Sequence, residues 1–392
     1  MKIFVLLSRI PWPLEKGDKL RAYNQIRCLA KQNEIILCAL NTDPKADKQK
    51  AFKALQPYCS SINFIDLSMV GTVINLFKAW LTGKPLQTGY FYNQLAQQKI
   101  NRLIEDYQPD IIYGQLLRVA EYIRHSPLPK SIDYQDVFSM GVKRRYNLAP
   151  FYMKPFLGME YRRLAKYEAE IFDDFPLKTI ISKPDRDLIP HKKKKQILII
   201  PNGVDHDFFK PLQAEKKYDL VFTGNMAYPP NVNAAEFLIR NIMPIVWKAQ
   251  SNIRVMIAGA TPDKRVKALA AEKVFISGWM DDIRNAYAES RFFIAPMIIG
   301  TGLQNKLLEA MSMRLPSITT PLANAALEGR HGRELLVGST ANELAENILL
   351  LINDQQKAIE IANQGYAFVH EKYDWANATS ILEDEMKKLI SS

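Results

Sequence analysis

P-M-I-I-G-T-G-L-Q-N-K-L-L-E-A-M-S-M-R-L-P-S-I-T-T-P-L-A-N-A-A-L-E-G, residues Pro296 to Gly329, is the stretch from which the fold is read. An apolar run, Phe292 to Pro296, reads as a strand leading into a glycine turn at Gly300 and Gly302. A helix is expected over Leu303 to Met313, and a second strand over Pro316 to Thr320. A glycine turn that opens a helix presents unpaired backbone N–H groups and the positive end of the helix dipole, a site suited to phosphate. Gly302, Asn305, Lys306 and Glu309 fall on one stripe of that helix; Leu303, Leu307 and Ala310 fall on another. An ammonium behind the turn can hold a diphosphate, and a carboxylate one turn deeper can accept hydrogen bonds from ribose hydroxyls. A surface helix with Lys306 and Glu309 merely solvated would carry the same pattern.

Outward from this stretch, short apolar runs alternate with helical patterns along the chain. In the first half the strands are expected at Lys2–Ser8, Glu34–Leu40, Ile62–Leu67, Asp110–Tyr113, Lys130–Tyr134, Leu177–Ser182 and Gln196–Pro201. Asp18 is positioned to cap the helix after the first strand. The series breaks at Pro201 and the polar run Gln213 to Lys217, then restarts at Asp219-Leu-Val-Phe-Thr-Gly224. The β/α alternation predicts two doubly wound, Rossmann-like α/β domains, with ligands at the carboxyl ends of their strands and a cleft between them. The boundaries expected are residues 1–200 for the first domain, 201–217 for a linker, 218–372 for the second domain and 373–392 for a final helix.

The 392 residues are 47% hydrophobic and 24% charged, a globular composition. The first 200 residues hold 32 lysines and arginines against 19 acids, a net +13, and the remainder is −2. Such asymmetry suits an anionic partner for the first half: nucleic acid, a membrane surface or a phosphorylated substrate. The cluster His191 to Lys195 also reads as a solvated loop. Nucleic acid is disfavoured, because no recognised binding module or aromatic-interleaved basic strip is present. Cys28, Cys38 and Cys59 have neither zinc nor disulfide spacing, and the five histidines are dispersed. The absence of G-x-G-x-x-G, P-loop and G-x-S-x-G patterns disfavours NAD or FAD binding, a P-loop NTPase and a serine hydrolase. The first residues read as a strand rather than a leader, and no apolar run is long enough for a membrane span, so a cytoplasmic protein is expected.

Five ordered motifs resemble family 4 retaining glycosyltransferases, enzymes of the GT-B fold, and most closely their bacterial exopolysaccharide-associated branch. They are Arg9-Ile-Pro-Trp-Pro-Leu-Glu-Lys-Gly17, Pro201-Asn-Gly-Val-Asp-His-Asp-Phe-Phe209, Phe222-Thr-Gly-Asn-Met226, Gly300-Thr-Gly-Leu-Gln-Asn-Lys306 with Glu309, and Asp374-Trp375 before the final helix. The resemblance implies transfer of a sugar, with retention, from a nucleotide-sugar donor to a saccharide or lipid-linked acceptor in cell-surface polysaccharide synthesis. It implies a final helix crossing back to the first domain; separately, the basic excess of the first half and the apolar and basic stretches near Phe77 to Lys84 and Val142 to Tyr152 suit a peripheral place on an anionic membrane. Donor-binding positions carried over are Gly17, Gly224, Asn225, Gly278, Trp279, Met280, Thr301, Gly302, Leu303, Gln304, Asn305, Lys306 and Glu309, with Glu309 on the ribose. Lys306 is expected to stabilise the leaving diphosphate, and Asp136 to orient or deprotonate the acceptor hydroxyl, although Asp136 also reads as a turn residue. No metal or other cofactor is expected. The sequence departs from the family at three places. Thr301 stands where relatives carry a first glutamate. Asn225 to Asn231 contains no cation where many carry an Arg and a Lys. Gln135 stands where many carry a histidine. Two alternatives share this pattern, a catalytically silent nucleotide-sugar-binding homologue and a nucleotide-sugar epimerase.

Overall fold

The computed structural model describes residues 1–300 and 302–391, less the side chains of residues 69 and 70. The chain divides into two compact units, Met1–Pro201 with Trp375–Ser392, and Asn202–Asp374. In the first, the strands β1 (Lys2–Leu7), β2 (Glu34–Asn41), β3 (Ser61–Asp66), β4 (Ile111–Gln115), β5 (Lys130–Asp133), β6 (Leu177–Ile180) and β7 (Leu198–Ile199) form one sheet. Its order is β3-β2-β1-β4-β5-β6-β7, and every recorded pairing is parallel. A parallel sheet is covered on both faces, so its central strands are apolar throughout rather than alternating. Phe4, Leu6, Ile36, Cys38 and Leu40 pack into one core. Their neighbours Ile3, Val5, Leu7, Ile35, Leu37 and Ala39 pack into the core on the opposite face.

Three helices pack on that second face, one of them Lys48–Leu55 through Ala51 and Leu55. Gly17–Leu29 contributes Ala22, Ile26 and Leu29, and the C-terminal helix Trp375–Ser391 contributes Ala378, Leu382 and Met386. The C-terminal residues are thus core of the first unit, as the expected crossover requires. Leu382 is fully buried. Leu382→Ala is expected to lower unfolding stability by about 2–5 kcal/mol, measured by urea denaturation. A loss under ~0.5 kcal/mol would mean that the helix is not part of this core.

One local expectation, the cap at Asp18, is revised. The first helix opens at Gly17, with Lys16 at its N-cap and no capping side chain. Asp18 lies inside the first turn and is paired with Arg9 at 3.3 Å, so it is not the cap. The basic segment after β5 is a helix, Phe138–Leu148. The region 71–107 holds three helices, Met69–Thr82, Leu86–Phe91 and Gln94–Tyr107.

The second unit is built on β8 (Tyr218–Thr223), β9 (Val255–Ala258), β10 (Val274–Gly278), β11 (Ser290–Ala295), β12 (Ser317–Thr319) and β13 (Leu336–Val337), in the order β10-β9-β8-β11-β12-β13. The pairings are again parallel. In each sheet the order reverses beside the first strand, at β1/β4 and at β8/β11, and such switch points open a crevice at the strands' carboxyl ends. The helical stretch from Pro229 contains one widened turn, Leu238–Ile242, just before Met243-Pro244. Proline cannot donate to the preceding turn, and a wider turn absorbs the missing bond. Residues 202–217 lie in the second unit: Phe209 and Leu212 pack on its core, and Lys216 Nζ donates to the carbonyls of Ala288 and Ser290.

Candidate functional site

In the second unit the carboxyl ends of β8, β9 and β10 run into Gly224, Gly259 and Gly278. Gly224 N–H donates to Ala258 O at 3.0 Å, and Gly259 N–H to Gly278 O at 3.1 Å, so the three loops are tied together. Gly259 has φ +140°, and a Cβ there would lie 1.8 Å from Gly224 O. Only glycine fits so close an approach. Above Gly224 (φ +153°) sit Asn231 and Lys306, whose Nζ is 3.4 Å from where a Cβ at Gly224 would be.

Lys306 belongs to the helix Asn305–Ser312, which packs on the sheet through Leu307, Leu308, Ala310 and Met311. Register then turns Lys306 and Glu309 to the other side. Lys306 Nζ donates to Asn231 Oδ1 at 2.5 Å, lies 3.8 Å from Met297 Sδ and sits 4.9 Å from the Phe222 ring centre. No carboxylate pairs with it among the described residues. Enclosure by protein pushes its pKa down to about 7, with Glu309 pulling the other way. Glu309 Oε2 accepts from the Tyr287 hydroxyl at 2.7 Å, and that hydroxyl lies 2.8 Å from Thr223 Oγ1. Burial pushes the Glu309 carboxyl up; Tyr287 and Lys306 oppose this. The other oxygen of Glu309 has no hydrogen bond among the described residues. The assembled site is therefore a cation held short of a full counter-charge, one turn from an oriented carboxylate with a spare acceptor.

The remaining expected donor positions divide by role. Gly300 and Gly302 take φ of +122° and +83°, the conformation of the expected turn. Leu303 packs partly on the core, which leaves its backbone rather than its side chain for a ligand. Gln304 is the N-cap residue and donates to Gly302 O at 3.3 Å. Asn305 accepts from Asn202 at 3.1 Å, so its amide is engaged within the unit. Asn225 builds the loop, its Oδ1 accepting from Ala227 N–H at 2.9 Å and its carbonyl from Asn231 at 2.9 Å. After Gly278, Trp279 is 62% exposed and Met280 is half-buried. Thr301 lies outside the described residues. Asn231 and Tyr287 were not singled out from the sequence; only the fold aims them at Lys306 and Glu309.

In the first unit, Gly17 is exposed, and a Cβ there would meet nothing within 4 Å, so the open space rather than the fold is what a glycine preserves. Gln135 holds a left-handed φ of +58° and is buried. Its amide turns inward to Gln115 Oε1 at 3.1 Å, joining a network through Gln25 and Tyr113 to the buried Arg21–Asp133 pair. The departure from the family's histidine is thus a structural anchor. The exposed neighbour is Asp136. Crowding by surrounding protein pushes its carboxyl up, opposed by Arg144 and the Val137 N–H.

Comparison with known proteins follows the same division. Residues 217–354 match the model of the family described as glycosyl transferases group 1. Over the whole chain, the sucrose-phosphate synthase of Thermosynechococcus elongatus superposes with a TM-score of 0.74 at 14% identity, covering 100% of both chains. Anabaena HepE in complex with UDP and glucose superposes with a TM-score of 0.70 at 14% identity, covering 99% of this chain and 100% of that one. This is the GT-B glycosyltransferase fold. A protein described as an uncharacterized 44.6 kDa product of the cps region of Klebsiella pneumoniae is 22% identical over 405 residues, spanning 95% of this chain and 96% of that one. Within the GT-B chain, the group 1 glycosyltransferase match begins just before β8 and contains every second-unit residue assigned above to the donor.

Proposed function

We propose that this chain is a glycosyltransferase that moves a sugar from a nucleotide-sugar donor to a saccharide acceptor, with retention, in cell-surface polysaccharide synthesis. The observation that carries the reading is the arrangement at the β8/β11 switch point: Lys306 beside Gly224, with no ion-pair partner among the described residues, and Glu309 oriented by Tyr287. An unpaired, partly desolvated ammonium suits a diphosphate, and an anchored carboxylate suits ribose hydroxyls. A UDP complex of HepE and the cps-region relative support the donor class and the pathway type.

In this scheme the bond between the donor sugar and the diphosphate breaks, and the acceptor oxygen bonds to the sugar on the same face. The acceptor proton passes to the departing diphosphate or to Asp136. Lys306 and the backbone N–H groups after Gly302 hold the charge that develops on the leaving group. The scheme calls for no metal and no other cofactor. The test is nucleotide release from a panel of UDP-, GDP- and other activated sugars, with and without saccharide acceptors. Release that rises with acceptor supports transfer. A donor that binds without turnover would identify a silent homologue, and epimerised sugar would identify an epimerase.

A membrane surface is a further part of this reading. No helix among the described residues is long and apolar enough to cross a membrane. The first unit nevertheless exposes Phe77 (61%), Trp80, Leu81 and Phe151 (84%), with Lys78, Lys84 and Lys154 nearby in sequence. Bulky apolar groups flanked by lysines suit an anionic lipid surface and a lipid-linked acceptor. Cosedimentation with anionic vesicles at low salt is expected, reduced by the double substitution Phe77→Ser and Phe151→Ser. No cosedimentation at low salt would contradict it.

A further inference from the structure

One arginine of the first unit has, among the described residues, no carboxylate partner of the kind arginines normally find. Arg118 lies in the short turn Leu117–Val119 after β4, where Leu116 takes a left-handed φ of +68°. Its guanidinium is sandwiched between two aromatic rings, 4.8 Å from the centre of Phe91 and 4.9 Å from that of Phe138. Its Nε is buried and makes no hydrogen bond, and no carboxylate pairs with it among the described residues. Burial and the nearby Arg9 push its pKa down to about 10, so it stays cationic at neutral pH.

The position is not arbitrary. The turn follows the β1/β4 switch point, where a small depression is lined by Ser8, Arg9, Asp18, Lys19, Gln115 and Leu116. Asp18 is already paired with Arg9. Among the described residues, Lys19 Nζ donates only to the Trp12 carbonyl, at 3.2 Å. Arg118 and Arg9 thus have Asp18 as their shared nearby carboxylate, and Lys19 lies near both Asp18 and Glu15 with Lys16 beside it, a locally basic cluster. If the space between Phe91 and Phe138 needed only filling, a leucine or methionine would fill it without the cost of desolvating a charge. Phe138 follows the exposed Asp136 by two residues, so one short segment carries both an aromatic wall of Arg118 and the proposed acceptor-side carboxylate.

We propose that Arg118, with Arg9 and Lys19, forms a binding site for an oxyanion carried by the acceptor, either a phosphoryl group or a carboxylate. The assignment to the acceptor rests on the transfer reading above; the anion site itself does not. A planar guanidinium held by two rings offers its edge as a fixed fork to such a group. The acceptor is accordingly a phosphorylated or acidic saccharide rather than a neutral one.

The full chain labelled with ¹⁵N-arginine tests this through the Arg118 Nε–H signal, identified by its loss in Arg118→Lys. Glycerol 1-phosphate and glucuronate are titrated as probes, with glucose as the uncharged control. A saturable shift with one or both anions and none with glucose is expected, and the anion that acts names the class. Arg9→Gln should weaken the response about tenfold, whereas Glu309→Ala should leave it unchanged. A response to glucose equal to that of the anions, or no response to either anion, overturns the site. Circular dichroism of each variant separates loss of binding from loss of fold. Loss of nucleotide release with the Arg118 response intact would remove the transfer reading and leave the anion site standing; the reverse result would remove only the anion site.

Discussion

Lys306→Met is expected to reduce turnover of the nucleotide sugar by about 10²–10³-fold, the usual effect of removing one charge-stabilising donor from a reacting centre. The same change should not weaken the fold. Lys306 has its pKa pushed down to about 7, well below the ordinary lysine value, by enclosure in protein. In that window the unfolded chain binds the proton more strongly than the folded one, so this group makes the fold more stable as pH rises from about 7 towards 10.5. At pH 7 the ammonium is a liability to folding that methionine removes. Thermal melting should therefore show Lys306→Met at least as stable as the parent, while activity collapses. A parallel loss of both would assign Lys306 a structural role instead.

The same pKa gives a pH signature for binding. A diphosphate placed against Lys306 favours the charged form and raises its pKa. Binding is then accompanied by proton uptake above about pH 7, and affinity should fall by about tenfold per pH unit beyond it until the raised pKa is passed. Calorimetry in buffers of different ionisation enthalpy reads the proton directly. Equal binding enthalpies in all buffers at pH 8 would contradict the assignment.

Glu309→Ala is the second large effect. A carboxylate that accepts from ribose hydroxyls contributes through charge-assisted bonds of about 1.5–3 kcal/mol each, so nucleotide affinity should drop by about 10–100-fold or more. Tyr287 keeps its contact with Thr223 at 2.8 Å in the variant, so its buried hydroxyl is not stranded and the fold should persist. Undiminished affinity with an intact circular dichroism spectrum would show that Glu309 does not touch the ribose.

How far these residues could be read in advance depended on whether their signal was local. The strands of both sheets are short apolar runs between turns, and Ile3 to Leu7 is buried on both faces as such a run requires. The turn at Gly300 and Gly302 and the faces of the helix behind it follow from glycine conformation and helical register, both local properties. Asp18 was misread because its residue type suits a cap, whereas the tertiary position of Arg9 drew it into an ion pair. Two-residue strands such as β13 lack enough length to show a period. The partners that define the site were the least legible. Asn231 lies 75 positions from Lys306, and Tyr287 lies 22 from Glu309, so no spacing rule connects them. Arg118 looked like one more charge in a basic half; its aromatic walls, Phe91 and Phe138, meet only in the folded unit.

Calorimetric titration of UDP, GDP and other nucleoside diphosphates into the parent chain, Lys306→Met and Glu309→Ala tests the central claim most directly. At least one nucleotide should bind the parent, with affinity reduced tenfold or more in both variants (about 1.4 kcal/mol). Binding of that nucleotide undiminished in both variants, or failure of every nucleotide to bind the parent, would contradict a donor site built on Lys306 and Glu309.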